Sequence, residues 1–232
     1  MARFLVIAAA SGIGQATVSL LEAAGHEVFT TARDPSKITP DAVLDATDFE
    51  AVERVFQQAG AIAGVVNCSG SLLLKAAHLT SKAQYQATID ASLTTAFATV
   101  RAAGKYMKNG GSVVLVSSAA AMTGLANHEA IAAAKAGIIG LTLSAAASYA
   151  GNNLRFNAVA PGLTETPLTQ PLTANESARR LSEAMHALGR LGQPEDIARA
   201  IVFLLDPANS WITGQVLAVD GGLSRVRPRM KA

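Results

Sequence analysis

Short runs rich in β-branched and aromatic residues alternate with longer amphipathic or alanine-rich stretches along almost the whole chain. An apolar run without polar alternation reads as a strand buried on both faces, and a 3.6-residue period reads as a helix. Strands are expected at Phe4–Ile7, Glu27–Thr31, Ala42–Leu44, Gly64–Asn67, Ser112–Ser117, Leu154–Val159 and Gln215–Val219. Helices are expected in "QATVSLLEAAG" after Gly14, and over Thr47–Gln57, Thr80–Met107, Asn127–Ala150 and Pro194–Leu205. Thr47 and Glu50 have capping-box spacing, which places the start of the second helix. The pattern predicts an α/β fold, a parallel sheet covered on both faces. One stretch breaks the alternation, "TETPLTQPLTANESARRLSEAMHALGRLG" from Thr164; its prolines and polar residues read as a mobile flap over a site, spanning about 164–189.

A chain of 232 residues, half of them hydrophobic, can bury a substantial core as one domain over 1–232. The net charge is +2, and the one basic cluster, "RVRPRMK" at Arg225–Lys231, reads as a solvated end, so nothing asks for nucleic acid. Cys68 is the single cysteine, which excludes an internal disulfide and a multi-cysteine metal site and suits a reducing cytoplasm. No continuous apolar run approaches the ~18 residues of a membrane span. The start, "MARFLVIAAAS", imitates a signal peptide, but its apolar core is short and runs at once into "SGIG" and an amphipathic pattern. A buried strand turning into a helix is the better reading.

Two stretches carry candidate chemistry. In "NHEAIAAAK", at ~100° per residue, His128, Ile131 and Lys135 share one helical face while Glu129 points elsewhere, toward the positive end of its own helix. "AAASGIGQA" lies between the first strand and the first helix, where glycines let the backbone approach a pyrophosphate.

With these stand "NCSG" (Asn67–Gly70), "VSS" (Ser117 and Ser118 within it), "IAAAK", "PGLTET" (Pro161–Thr166) and "GRLGQPEDIARAIVFLLDPANSWITGQVLAVDGG". In this order they make the chain resemble the short-chain dehydrogenases/reductases from end to end. The resemblance implies a single-domain Rossmann fold with a doubly wound parallel seven-stranded sheet. It implies that Ser11, Gly12, Ile13 and Gly14 wrap phosphates and that Asp45 and Ala46 meet the adenine. Asn67, Ser69 and Gly70 would flank the ribose, and Pro161, Gly162, Thr164 and Thr166 would hold the nicotinamide end. A homotetramer acting on a small-molecule substrate is implied too. Ala8 stands at the family's first loop glycine, where a methyl is tolerated at negative φ and crowds the turn at positive φ; weakened, not abolished, cofactor binding is the expectation.

Cofactor choice turns on the end of the second strand, where Ala32 precedes Arg33. An arginine there can clamp a ribose 2′-phosphate, which favours NADP(H) over NAD. The alternative leaves Arg33 solvated and gives Asp34 the acidic, NAD-selecting role.

The resemblance assigns Lys135 to the family's lysine and Ser118 to its serine, but puts Ile131 at the tyrosine and Ser92 at the asparagine. Isoleucine has no exchangeable proton. The family's enoyl reductase branch carries its tyrosine one turn earlier, at the position of His128. His128 is therefore a candidate proton donor or relay, against the plainer reading of a histidine near a helix start. Cys68 reads as a small residue beside the cofactor, His26 and His78 as loop residues, Trp211 as an interface residue, and His186 as a flap residue facing either substrate or solvent.

Two functions follow. One is an NADP(H)-dependent oxidoreductase on a small carbonyl or alcohol, or less readily a C=C bond, with the proton from His128, water or Lys135. The other is a catalytically impaired NADP(H)-binding homologue with a regulatory or scaffolding role. A protein that binds no nucleotide is a third class, which requires that Ala8 prevent binding.

Overall fold

The structure is a computed structural model and describes residues 1–228, so the last residues of the basic stretch at Arg225–Lys231 lie outside the described residues. The elements run β1 (Arg3–Ile7), α1 (Gly12–Ala23), β2 (Glu27–Ala32), β3 (Ala42–Val43), α2 (Phe49–Ala59), β4 (Gly64–Asn67), α3 (Lys82–Ile89) and α4 (Thr95–Tyr106). They continue with β5 (Gly111–Val116), α5 (Glu129–Tyr149), β6 (Leu154–Pro161), α6 (Gln170–Thr173), α7 (Glu176–Met185), α8 (Pro194–Leu205) and β7 (Val216–Val219). The seven strands form one sheet in the order β3-β2-β1-β4-β5-β6-β7, every pair parallel. The order reverses between β1 and β4, and in such sheets the ligand crevice lies at the carboxyl ends of the strands there.

Strand periodicity divides the core in two. Leu5 and Ile7 of β1 pack with Val65, Val113, Phe156 and the α2, α4 and α5 side. Phe4 and Val6 face the other way, onto Leu21 of α1 and Ile197, Ile201 and Leu204 of α8. Both faces of β1 and β4 are thus buried, which is why these strands carry no polar alternation.

Several local expectations are corrected. Asp48, not Thr47, caps α2, its Oδ1 accepting from the Ala51 amide at 2.9 Å; Thr47 is drawn off by Asp45, to which it donates from both amide and hydroxyl. The helix expected over Thr80–Met107 starts at Lys82, with Ser81 and Gln84 forming the capping box, and is interrupted by a π-turn over Asp90–Thr94. Helix α5 starts at Glu129, because Asn127 takes a left-handed φ of 63° that ends the preceding turn. The segment read as a flap holds two helices, α6 and α7. Measured as a whole helix, Glu129–Asn152 is long and apolar enough to cross a membrane, although no unbroken apolar run is. It carries a buried lysine, and its Ile138, Ala145 and Ala146 belong to the domain core.

Candidate active site

The loop after β1 is built around one serine. Ser11 caps α1 by accepting from the Gly14 amide at 3.1 Å, and its hydroxyl donates to the Ala8 carbonyl at 2.8 Å. A Cβ on Gly14 would lie 2.6 Å from that carbonyl, so only glycine lets the turn close. A Cβ on Gly12 would lie 3.0 Å from Thr166 Cγ2, which brings the "PGLTET" segment over the start of α1. Gly12 and Ile13 head the helix, where amides lacking an intrahelical acceptor and the helix dipole favour an anion. Ala8 has φ 60°, the left-handed region in which a methyl costs about 1–2 kcal/mol. The condition for crowding set by the sequence is therefore met.

Two exposed aspartates at the carboxyl edge close turns of their own. Asp34 accepts from the Ser36 hydroxyl at 2.7 Å and its amide at 3.0 Å, which holds the carboxyl below its usual range. Asp45 does the same with the amide and hydroxyl of Thr47, at 3.0 and 2.7 Å. Arg33 is exposed and near enough to both carboxylates to add to each depression. Ala46, next to Asp45, is buried.

Asn67 ends β4 and shapes the "NCSG" turn. Its Nδ2 donates to Thr99 Oγ1 at 3.0 Å, and its Oδ1 accepts from the Ser69 amide at 2.8 Å. A Cβ on Gly70 would meet Lys135 Nζ at 3.4 Å, so this turn and α5 enclose the ammonium. Lys135 is 6 % exposed and donates to the Val116 carbonyl at 2.7 Å, while the Ser117 hydroxyl donates to the Lys135 carbonyl at 2.8 Å. Burial lowers its pKa to about 8. Burial also pushes the neighbouring Cys68 thiol up to about 12, so Cys68 is a neutral, unreactive neighbour.

Ser118 accepts from the Ala120 amide at 3.1 Å and begins a short 3₁₀ turn over Ala119–Ala121. Ile131, one turn before Lys135, is 5 % exposed. Ser92, in the π-turn, is 1 % exposed, and its hydroxyl has no hydrogen-bond partner among the described residues. His128 is the residue before α5, and its Nδ1 donates to the Ala126 carbonyl at 2.8 Å, leaving Nε2 as the ring nitrogen available to a ligand.

At the far end, Thr164 is buried, donates to the Gly162 carbonyl at 3.1 Å and bridges to Gly192. The Thr166 amide donates to Thr169 Oγ1 at 3.0 Å. His186, left open by the sequence between substrate and solvent, does not face solvent: it is 4 % exposed and packs on Gly162. The available signal was its i+4 spacing from Ser182, whose carbonyl its ring bonds. Trp211 is 99 % exposed. The glycine cradle before α1, the Asn67 turn and the enclosed ammonium stand at the carboxyl ends of the neighbouring strands β1, β4 and β5, and this donor set fits a dinucleotide.

A family model described as enoyl-(acyl carrier protein) reductase matches residues 7–224. The chain is 38 % identical to the 3-oxoacyl-[acyl-carrier-protein] reductase FabG of Thermotoga maritima, over 94 % of this chain and 96 % of that one. The ligand-free aldohexose dehydrogenase AldT of Thermoplasma acidophilum superposes with a TM-score of 0.90 at 29 % identity, covering 100 % of this chain and 97 % of that one. ElxO with NADP bound superposes with a TM-score of 0.88 at 26 % identity, covering 96 % and 99 %. With the parallel sheet, the glycine loop and the enclosed lysine in place, these similarities lead to one conclusion: the chain belongs to the short-chain dehydrogenase/reductase family.

Proposed function

We propose that the protein is an NADP(H)-dependent oxidoreductase acting on a small carbonyl or alcohol by hydride transfer, with an altered proton donor. The observation that carries this is Lys135, a buried ammonium with one acceptor among the described residues, held beside the Asn67–Gly70 turn. A fold keeps so costly a group in its interior for a purpose, because burying a charge without a counter-charge opposes folding. When bound, the nicotinamide supplies or takes the hydride. Ser118 orients the carbonyl oxygen, and Lys135 holds the ribose side of the pocket with its remaining N–H donors. Ser11, Gly12, Ile13 and Gly14 seat the phosphates, Asp45 and Ala46 border the adenine, and Pro161, Gly162, Thr164 and Thr166 hold the carboxamide end.

Ile131 leaves the site without a tyrosine, so the proton must come from His128, from water, or from Lys135. A pKa of about 8 suits Lys135 to the task at neutral pH. His128 can act only through Nε2, since Nδ1 is held by Ala126. NADP(H) is preferred because Arg33, just past the end of β2, is exposed and makes no hydrogen bond or ion pair among the described residues, while Asp34 is engaged with Ser36. The NADP-bound ElxO structure supports the same choice. The test is NADPH oxidation across ketones, quinones and enoyl compounds, repeated with Lys135→Ala; lack of turnover on every class in the wild type would sink the proposal.

A second reading, a catalytically impaired NADP(H)-binding subunit, is favoured by Ile131 being buried and by the left-handed Ala8. Micromolar NADPH binding without turnover would select it. Exposed apolar side chains on α4 and α5 (Phe97, Leu143) and on α8 and β7 (Phe203, Leu217) support a homotetramer; sedimentation velocity tests it. The unpaired Cys68 supports a cytoplasmic setting.

A further inference from the structure

We propose that the ε-amine of Lys135 is a covalent site for small aldehydes, which it takes up as an imine across the open face of Gly70. The proposal shares Lys135 with the oxidoreductase reading but needs no nucleotide, so each can fail without the other.

Lys135 is buried in α5, yet its amine is not sealed off. Gly70 is exposed, and among the described residues a Cβ built on it would meet only Lys135 Nζ within 4 Å, at 3.4 Å. The amine therefore lies beneath a position that any other residue would cover. One N–H goes to the Val116 carbonyl at 2.7 Å, and the others have no acceptor among the described residues. The neighbouring side chains are apolar or neutral. Ile131 stands one turn earlier on the same face of the helix. Cys68 is the one titratable side chain among the described residues that acts on the ammonium, and its thiol is neutral, with a pKa pushed up to about 12. With no carboxylate to hold the charge, burial brings the amine to about 8. About half of it is then uncharged at pH 8, against about 0.4 % of an ordinary lysine.

A desolvated, uncharged lysine is a nucleophile toward carbonyl carbon. Its lone pair adds to the aldehyde carbon and the C=O π pair moves onto oxygen, to which the nitrogen passes one proton, giving a carbinolamine. The hydroxyl leaves as water with one proton from solvent, and the C=N bond forms. Amine, aldehyde and one proton thus become a protonated imine and water, with no oxidant or reductant consumed. The product keeps a single N–H, the number that the Val116 carbonyl accepts.

The test uses the full chain without nucleotide, incubated with propanal and sodium cyanoborohydride, which reduces the imine to a stable secondary amine. Peptide mass spectrometry reads each lysine separately, and the α-amino group of Met1 on its own peptide. At pH 8, Lys135 is expected to be labelled at least about tenfold faster than any other lysine, because so much more of it is uncharged. Its labelling is expected to rise with pH around a midpoint near 8. Gly70→Val covers the amine while leaving it in place, and is expected to remove most of the labelling at Lys135 without changing that of the other lysines; thermal melting checks its fold. Gly70→Ala, a milder cover in ordinary contact with Nζ, is expected to fall between the two. Wild-type protein in which Lys135 is labelled no faster than the other lysines, or only above a pH of about 10, overturns the proposal. So does a folded Gly70→Val or Gly70→Ala variant labelled like the wild type. NADPH turnover with Lys135 unlabelled defeats this proposal alone, and labelling without NADPH turnover defeats the oxidoreductase reading alone.

Discussion

Lys135 donates a 2.7 Å hydrogen bond to the Val116 carbonyl, tying the first turns of α5 to the end of β5 through a charge held inside the protein. Its pKa falls from an ordinary 10.5 to about 8 because burial disfavours the ammonium. Between those values the unfolded chain binds more protons than the folded one, so stability rises with pH through that window. Below about 8 the full penalty acts, roughly 3 kcal/mol. Lys135→Met is expected to stabilise the unliganded protein at pH 7 and to flatten the rise between pH 8 and 10. Urea unfolding at several pH values reads both effects.

Ile131→Tyr places a phenol one turn before Lys135, on the same face of α5. In the oxidoreductase reading, kcat with a good ketone is expected to rise at least about tenfold, the span of one added general acid being larger still. The wild-type rate is expected to fall above pH 8 as Lys135 loses its proton, and the variant to lose that dependence. Ile131 is already buried, so some destabilisation by overpacking, about 1–3 kcal/mol, is expected alongside. A variant that folds, binds NADPH and still shows no turnover would favour the binding-subunit reading.

Ala8→Gly relieves a left-handed methyl but adds freedom to the unfolded chain. The net gain is expected to be about 0.5–1 kcal/mol, or a rise of ~1–4 °C in Tm for a chain this size. NADPH affinity is expected to increase as the loop settles. Calorimetry and fluorescence titration measure the two separately.

Arg33→Ala removes the exposed cation just past the end of β2. A charged hydrogen bond is worth about 1.5–3 kcal/mol, so NADPH affinity is expected to fall about tenfold or more while NADH affinity stays nearly constant. Equal loss for both nucleotides would remove Arg33 from the 2′-phosphate role.

The sheet was legible because its central strands are short, mostly apolar runs between turn residues, and Phe4–Ile7 and Gly64–Asn67 show this most simply. Helix starts were less legible: Thr47 and Asp48 are both competent caps, and Asp45 decides between them by bonding Thr47. The candidate site was legible where a position needs a residue type, as Gly14 does beneath the Ala8 carbonyl. His186 was not, because its role depends on Leu163 and Gly162, more than twenty residues away, and no local pattern encodes that meeting.

The π-turn over Asp90–Thr94 acts as a phase adjuster between α3 and α4. It amounts to one extra residue in an otherwise regular helix, and each residue turns the helix by ~100°. Winding these residues as regular α-helix at unchanged chain length would turn the second half of the helix by ~100° relative to the first. Thr99, which meets Asn67 at 3.0 Å, would be swung away from the strand end. The Asn67–Gly70 turn would then lose its support from α4 although every nearby side chain was intact, so the winding of this one helix is as much a part of the site as the residues that line it.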